Sequence, residues 1–518
     1  MKKLLITAVL VVLLFILLNS LANLQQDTVD SNIVENKDTP FVNPVLRPSY
    51  TMQLTLDCEA NRLHGNVHIV FENNSQDEWD KICIRDFNAG AASYFAKTSG
   101  TNTDMKSGID YVKNAVNGHE LFWERDSDVS VVWVVPEKPL PLGTRIELDI
   151  SFYSDIPYNY DFISQVNVGD NNSFFEFGNF YPILAIYEDE EWQTPPYAYQ
   201  TESFYSLCAD YNVLIRLPSD YLVISTGSEE KMHDRGGISV WQLNAENVRD
   251  FAITAANNLA KIESNVGNTT LNTYYYKNEP TGLNTQHEAN LMQESAQLAF
   301  ALFEQKIGAY PYDELDIVLS FGDYGGLEYP GLVRISIKHM DFLNRNNSSK
   351  HLEERYAAIK KTTAHEVAHQ WFYAVVGNNS YSEPWLDEAF ASFCERYIYL
   401  KTVYNADEFD VMVKDERAFI AKWQDNIDKK LDLPVSEYNN FYYSVYVQGA
   451  LFLHDIMQLM GEDAFFAMLS DYYAEYSFKQ ANTVNFLQTL YKHTQDSEVW
   501  GLVAQHIAYL PAWAKELI

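Results

Sequence analysis

The sequence predicts a multidomain chain: an antiparallel all-β domain, then a mostly helical α/β domain, with one apolar segment before both. Three observations indicate this order. Between residues 49 and 278, apolar and polar residues alternate with period two, which is typical of half-buried strands. From residue 279 onward, long helical runs dominate, with a few short strands between them. The first residues hold an apolar run behind two lysines.

The composition of the chain limits its function. Its 518 residues suffice for more than one domain, and 35 Tyr, 29 Phe and 10 Trp can build large cores. The formal net charge of −34 argues against nucleic acid as a partner, because little in the chain would neutralise phosphates. We interpret the acidity as a solvated surface, which says little about the substrate.

Residues 1–22 indicate a signal anchor or a signal peptide. Two lysines precede an apolar run over residues 4–18, which only Thr7 interrupts. These fifteen residues would extend about 22 Å as a helix, less than a hydrocarbon core of about 30 Å, but an extension to Ala22 makes a membrane span feasible. Because the run is strongly apolar, we favour an uncleaved anchor.

This anchor would tether the chain to a membrane with its N-terminus inside and everything else outside the cytoplasm. The small residues at 20–22 also form an acceptable cleavage site, and cleavage there would release a secreted protein. Residues 23–48 are polar, contain proline and show no periodicity, so they predict a linker.

The predicted β domain covers residues 49–278. The stretch SYTMQLTLDC at its start places Met52, Leu54 and Leu56 on one face of a strand. The four cysteines show no C-x-x-C spacing, which excludes a zinc ribbon or a thioredoxin-like motif. Cys58 and Cys83 could pair on neighbouring strands outside the cytosol, or remain buried free thiols, and the sequence leaves both open.

The predicted second domain covers residues 279–518. Residues 287–307 have the pattern of a helix, and the strand DIVLSFG follows at residues 316–322. A glycine-rich stretch, GGLEYPG, and a second strand, LVRISI, complete the small sheet of this domain.

The stretch KTTAHEVAHQWF at residues 361–372 predicts a metal site. No proline or glycine occurs between residues 353 and 376, so we expect one helix there. His365 and His369 are then one turn apart on the same face, where two imidazoles can bind one metal ion. An H-E-x-x-H motif on a helix is typical of zinc sites in which the glutamate, here Glu366, is the general base. A chance match on a buried helix is the alternative.

A third ligand follows on the next predicted helix. Eighteen residues separate His369 from Glu388, an interval that fits a turn and a helix packed back on the first. Two histidines and one glutamate leave the fourth position of a tetrahedral zinc ion open, as in catalytic sites. Cys394 is the only cysteine near, and it lies off the face of Glu388. We therefore expect one zinc ion per chain, held by His365, His369 and Glu388.

Four segments, which occur along the chain in the family's order, resemble the zinc aminopeptidases of the aminopeptidase N type, a group of gluzincin metallopeptidases. They are HEVAHQW, WLDEAF, GGLEYPG at residues 325–331 and YVQGA at residues 446–450. The resemblance implies an antiparallel β domain before a thermolysin-like catalytic domain, and peptide substrates with a free N-terminus. Many members carry a further helical domain, and we expect this chain to be a short form without it.

The resemblance also assigns roles to single residues. In YVQGA, Tyr446 is the expected donor to the oxyanion, although Gln448 replaces the usual lysine. In GGLEYPG, Gly325 and Gly326 let the backbone approach a substrate closely, and Glu328 binds its α-ammonium group. Leu327 and Tyr329 depart from the commonest form of this motif, so the preferred N-terminal residue stays open.

Two further carboxylates are weaker candidates. Glu395 follows Glu388 by seven residues on the same helical face, and it could accept the second N–H of a metal-bound histidine. A surface salt bridge is the alternative for Glu395. Glu176, in the β domain, lies in a segment that matches the family only loosely and could help to hold the amine.

These residues favour a zinc aminopeptidase. An endopeptidase with the same zinc site is a second hypothesis, which cleavage of peptides with a blocked N-terminus would support. A non-catalytic peptide-binding ectodomain is a third, but the presence of Glu366, Glu388 and Tyr446 argues against it. The sequence does not indicate an oligomeric state.

Overall fold

The structure is a computed structural model that describes residues 46–98, 106–158, 163–167, 173–198, 204–277, 285–338 and 349–517. The predicted signal segment lies outside these ranges, as does nearly all of the predicted linker. In the ranges described, no helix has both the length and the apolar character that a bilayer span requires. The predicted order of a β-rich domain followed by a helical domain is confirmed.

The β domain is built around a seven-stranded sheet. Its strands, in spatial order, are Ser228–Arg235, Ile238–Val248, Ala209–Pro218, Ser49–Asp57, Arg62–Glu72, Arg145–Asp155 and Ser107–Asn114. The antiparallel prediction is wrong for one pair in this sheet. Ser49–Asp57 and Ala209–Pro218 run parallel, because the chain returns beside its first strand only after a long crossover through the rest of the domain.

Smaller sheets and one helix complete the domain. One four-stranded sheet has the order Ile183–Leu184, Ile82–Arg85, Val131–Val135 and Phe122–Arg125. The other has the order Tyr221–Ser225, Ala252–Asn257, Ser173–Gly178 and Ile163–Asn167. A short hairpin joins Tyr187–Glu188 to Glu191–Trp192, and the helix spans Phe87–Thr98.

The period-two alternation has its expected physical result. Along Ser49–Asp57, Tyr50, Met52, Leu54 and Leu56 are buried, while the residues between them face solvent or are only partly covered. All four cysteines are free thiols, so Cys58 and Cys83 are not paired in this structure.

A five-stranded sheet leads into the helical domain. Its strands, in spatial order, are Leu259–Val266, Thr269–Tyr276, Glu314–Ser320, Leu332–Ser336 and Gly326–Tyr329. The first two strands precede residue 278, so this sheet extends across the predicted domain boundary. The strand with the GGLEYPG motif is at the edge and pairs antiparallel with Leu332–Ser336.

Helices make up the rest of the chain. They span Thr285–Lys306, Ser349–Ala368, Trp385–Phe393, Lys401–Val403, Ala406–Lys422, Gly449–Met460, Glu462–Tyr476, Thr483–His493, Ser497–His506 and Ala512–Lys515. Two π-helical turns, Cys394–Leu400 and Tyr443–Gln448, continue directly into helices, and Val435–Glu437 is a 3₁₀ turn. The helix predicted at residues 287–307 is thereby confirmed within two residues.

The helix predicted over residues 353–376 ends earlier, at Ala368. Beyond this end, the guanidinium group of Arg249, from the β domain, binds the chain in a non-helical conformation. It donates to the carbonyl oxygens of Tyr373 at 2.7 Å and Val375 at 3.1 Å, so these groups are not aligned for helical hydrogen bonds. Tyr373 itself has a φ of 128°, which no helix accommodates. The chain therefore turns sharply just after His369.

Candidate active site

The two histidines and Glu388 converge as the sequence predicts. His365 lies in the last turn of Ser349–Ala368, and His369 follows the end of that helix. Their Nε2 atoms are 3.2 Å apart. Glu388, in the first turn of Trp385–Phe393, places its Oε2 atom 3.2 Å from Nε2 of His365 and 3.3 Å from Nε2 of His369. Three ligand atoms therefore face one point.

The remaining nitrogen atoms of both rings have partners. Nδ1 of His369 is 3.0 Å from the carbonyl oxygen of Phe372, so Nδ1 carries the proton and Nε2 remains available as a ligand. Nδ1 of His365 is 3.6 Å from Oε2 of Glu395. This is the kind of contact through which outer carboxylates orient metal-binding histidines. Glu395 is thus brought to the position that its candidate role requires.

The donor set fits zinc. Two imidazole nitrogens and one carboxylate oxygen are its typical ligands in catalytic sites, and all three side chains are mostly shielded from solvent. A structural zinc site would need a fourth protein ligand. Among the described residues, the only other group of this kind joins Glu328, Glu366 and the same His369.

The electrostatics of the pocket follow from the close packing of acids around the histidines. Burial alone would lower the pKa of His365, but the carboxylates of Glu388, Glu395 and Glu366 outweigh it and raise this pKa to about 10. Burial would raise the pKa of Glu388, yet both imidazoles hold it well below its usual range. A centre so rich in negative charge favours a bound cation.

Glu366 lies directly beside the three ligands and is buried. Its Oε2 atom makes no hydrogen bond to any of the described residues, so it is free to accept a proton from a water molecule. Burial raises its pKa, against the opposing effect of the two imidazoles. These are the properties that a general base at this centre requires.

The edge strand Gly326–Tyr329 passes along the same pocket. Glu328 is buried, and its Oε1 atom is 3.8 Å from Nε2 of His369. Gly326 lies against the side chain of Glu366, whereas a Cβ atom at Gly325 would meet nothing within 4 Å. Gly326 and Glu328 thus both lie beside Glu366, whereas Gly325 only precedes them in the chain.

Tyr446 approaches from the π-helical turn Tyr443–Gln448. Its hydroxyl donates to Oε1 of Glu388, and its ring lies nearly parallel to that of His365, 5.7 Å away. Burial, and then the charge of Glu388, raise its pKa well above the usual value, so the phenol keeps its proton. Gln448, which replaces the lysine of the motif, points elsewhere and donates to the carbonyl oxygen of Asp428.

Glu176 has a different environment. It is fully buried in the β domain and accepts hydrogen bonds from Ser320 and Tyr324. Nε of Arg334 is 3.9 Å from its carboxylate. The structure therefore gives Glu176 partners of its own, and it is not grouped with Glu328 and Glu366 around the metal centre.

Two residues that contact the site's segments were not identified from the sequence. Gln370 follows His369. Its side-chain amide accepts a hydrogen bond from the N–H of Gly331 and donates one to the carbonyl oxygen of Tyr329, so it bridges the turn that follows the edge strand. Its position inside the motif HEVAHQW could have identified it from the sequence. Arg396, which donates to the carbonyl oxygen of Tyr446, follows Glu395 and had no such signal.

Comparison with known proteins supports this geometry. The model of the peptidase family M1 domain matches residues 292–506, a range that holds all three ligands and both candidate catalytic residues. This part of the chain is therefore similar to peptidase family M1 domains. The similarity indicates a hydrolase of the gluzincin, aminopeptidase N type with a zinc cofactor, which agrees with the donor set of His365, His369 and Glu388.

Relatives of the M1 domain include aminopeptidase 2 of Candida albicans, 26% identical over 215 residues, and aminopeptidase N of Rattus norvegicus, 26% identical over 228 residues. These matches cover 40% and 42% of this chain, but only 23% of each relative. The aligned region thus spans about a quarter of their length.

Solved structures share the fold over a longer range. The M1 zinc metallopeptidase from Deinococcus radiodurans superposes with a TM-score of 0.62 at 17% identity, covering 90% of this chain and 94% of that one. A mutant of it with a bound Tyr-Ser-Ala substrate gives a TM-score of 0.62 at 16% identity, covering 90% and 95%. The two-domain architecture of this chain is therefore that of known M1 metallopeptidases.

Proposed function

We propose that this chain is a zinc-dependent aminopeptidase that hydrolyses N-terminal residues from peptides. The observation that carries the proposal is the position of Glu328. Its carboxylate is buried 3.8 Å from Nε2 of His369, beside the metal ligands. An α-ammonium group bound there would lie so close to the metal ligands that only one residue would precede the scissile bond. A buried carboxylate is also best satisfied by a cation, which a free peptide N-terminus supplies.

The edge strand would bind the rest of the substrate. Gly326–Tyr329 pairs on one side with Leu332–Ser336, and its other side has no strand partner among the described residues. An extended peptide can add to such an edge through main-chain hydrogen bonds. The peptide would then lie next to Glu366, because Gly326 contacts that side chain.

Zinc held by His365, His369 and Glu388 would polarise the scissile carbonyl and acidify the attacking water. Glu366 takes the proton from this water as its oxygen bonds to the carbonyl carbon. When the C–N bond breaks, the same carboxyl group returns the proton to the leaving amine. Tyr446 donates its hydroxyl hydrogen to the oxygen on which negative charge develops, for which its protonated phenol is suited.

The experiment compares peptides with free and with acetylated N-termini, with and without a chelator. The parent should cleave the free peptide, lose activity with the chelator, and cleave the acetylated one far more slowly. In Glu328→Ala and the isosteric Glu328→Gln, the two peptides should be cleaved at similar rates. Loss of this ion pair should cost about 2–5 kcal/mol of transition-state binding.

Each other outcome would support an alternative function or an alternative anchor for the amine. Internal cleavage of acetylated peptides at a comparable rate would make the chain an endopeptidase with the same zinc site. A zinc-loaded chain that binds peptides but cleaves none would be a non-catalytic binding protein. If Glu328→Ala keeps the parent's preference for the free amine, the amine is anchored by another residue.

We also propose that the enzyme acts outside the cytoplasm, tethered to a membrane by residues 4–18. The support is the apolar run behind Lys2 and Lys3 with a polar linker after it. Cell fractionation should recover the activity with membranes after a salt wash. A soluble mature form that begins at Asn23 would instead establish cleavage and secretion.

A further inference from the structure

The backbone of Tyr446 is held by a residue outside the reacting group. Nη1 of Arg396 donates to the carbonyl oxygen of Tyr446 at 2.8 Å. Arg396 belongs to the π-helical turn Cys394–Leu400, and Tyr446 to the π-helical turn Tyr443–Gln448. This hydrogen bond therefore links two π-helical turns, which are rare and occur often at functional sites.

Arg396 is itself fixed from the other side. It is 8% exposed, and its Nε is 3.3 Å from Oε1 of Glu416. The second oxygen of Glu416 accepts a hydrogen bond from the hydroxyl of Tyr397 at 3.1 Å. Burial would lower the pKa of Arg396, but Glu395 and Glu416 together raise it, so the guanidinium stays charged. It is thus a rigid donor rather than a mobile surface group.

Tyr446 is also restrained through its ring. The ring of Tyr442 lies 5.1 Å away at an angle of 27°, and the ring of His365 lies 5.7 Å away at 17°. These contacts limit tilting of the phenol, but they allow it to slide within its plane. The backbone hydrogen bond from Arg396 opposes that sliding, because it fixes the turn from which the side chain projects.

We propose that Arg396 is a positioning residue for Tyr446, acting through the carbonyl of that residue and held in place by Glu416. This inference rests on the proposed function, because the position of the Tyr446 hydroxyl affects catalysis only if the reaction forms an oxyanion. The neighbouring Glu395 contacts His365. One π-helical turn therefore contacts a metal ligand through Glu395 and the oxyanion donor through the next residue, Arg396. A displacement of about 1 Å at such a donor is enough to cost much of its effect.

The kinetic test uses Arg396→Gln and the conservative Arg396→Lys in the full chain. We expect Arg396→Gln to lower kcat about 10- to 100-fold while KM and zinc content change less than twofold, since the oxyanion arises only beyond the ground state. Arg396→Lys should restore part of the loss. Arg417→Gln is the matched control, because Arg417 pairs with Asp455 on the surface near by and should leave kcat unchanged.

A double-mutant cycle separates positioning from general damage. With Tyr446→Phe as background, Arg396→Gln should lower kcat less than twofold, because the group that it positions is already missing. An equal loss in both backgrounds would overturn the proposal, as would a loss of zinc that accounts for the lowered kcat.

Crystal structures of the parent and of Arg396→Gln give a readout that needs no turnover. We expect the hydroxyl of Tyr446 to move away from Glu388 in the variant while His365, His369 and Glu388 keep their positions. An unmoved hydroxyl would refute the positioning role even if the parent proved to be inactive. Conversely, if the parent is inactive but the hydroxyl of Tyr446 is displaced in Arg396→Gln, only the aminopeptidase proposal is refuted.

Discussion

Gly326 and Glu366 are in such close contact that residue 326 has no room for a side chain. A Cβ atom built at residue 326 would lie 2.2 Å from Oε1 of Glu366, well inside any van der Waals distance. The glycine belongs to the edge strand that the substrate is proposed to extend, and the glutamate is the proposed general base. Under the proposed function, their contact would determine the distance between the peptide and the proton acceptor.

Gly326→Ala should therefore push Glu366 out of place. We expect kcat/KM to fall on the order of 100-fold, the usual cost of misplacing a catalytic group by about 1 Å. Zinc content should stay near one per chain, because the ligands are untouched. Gly325→Ala is the comparison: its Cβ meets no atom within 4 Å, so its loss should be much smaller. Equal losses in both variants would contradict this explanation.

The metal site can be tested without any assay of activity. The purified chain should contain about one zinc ion, because three ligand atoms face one point. A His365→Ala, His369→Ala double variant should contain almost none after dialysis, as measured by elemental analysis. Full occupancy in this variant would mean that the ion is bound elsewhere.

Glu366→Gln should separate metal binding from chemistry. The amide cannot accept the proton of the attacking water, so we expect kcat to fall about 10³-fold or more. Zinc content and thermal stability should change little, and both can be measured on the same preparation. A near-normal kcat would assign the proton transfer to another group.

Tyr446→Phe removes a single hydroxyl group. We expect kcat to drop about 10²–10³-fold, the range seen when one oxyanion donor is lost, with little change in KM. Steady-state kinetics on a free peptide measures both values. An effect confined to KM would make Tyr446 a substrate-binding residue.

A separate prediction concerns stability and pH. Burial, and then the charge of Glu314, raise the pKa of Glu229 to about 8, and Asp316 is buried near by with its pKa also raised. An acid with a raised pKa stays protonated in the folded chain and ionises in the unfolded one. Stability should therefore fall as pH rises from about 4.5 to about 8, and Glu229 alone contributes at most about 1.4 kcal/mol per pH unit to this fall.

Glu229→Gln should remove part of this loss. Its melting temperature should exceed that of the parent more at pH 9 than at pH 5, as measured by scanning calorimetry. Glu230→Gln, an exposed neighbour on the same strand, is the control and should show no such trend. A constant difference at all pH values would exclude a titrating Glu229.

Much of the site could be predicted because local spacing determines it. His365 and His369 need only one helical turn, and Glu388 needs only the start of the next helix. The period-two pattern likewise predicted strands such as Ser49–Asp57 correctly, because one face of each is buried.

Other features depend on contacts between segments far apart in sequence. No local breaker marks the end of the helix at Ala368, and the segment after it is bound by Arg249, more than a hundred residues earlier. The hydrogen bond from Arg396 to Tyr446 depends on two π-helical turns, and no sequence pattern specifies either. The environment of Glu176 also requires side chains from another sheet, so the sequence alone left its role open.

The five-stranded sheet has a practical consequence for anyone who wishes to isolate the zinc-binding half of this protein. A fragment cut at residue 278 would lose Leu259–Val266 and Thr269–Tyr276, and Glu314–Ser320 would become a bare edge. It would also lose Arg249, whose guanidinium group reaches the carbonyl oxygens of Tyr373, Val375 and Lys479. Such a truncation would aggregate through its new edge, so recombinant production has to keep both halves on one polypeptide.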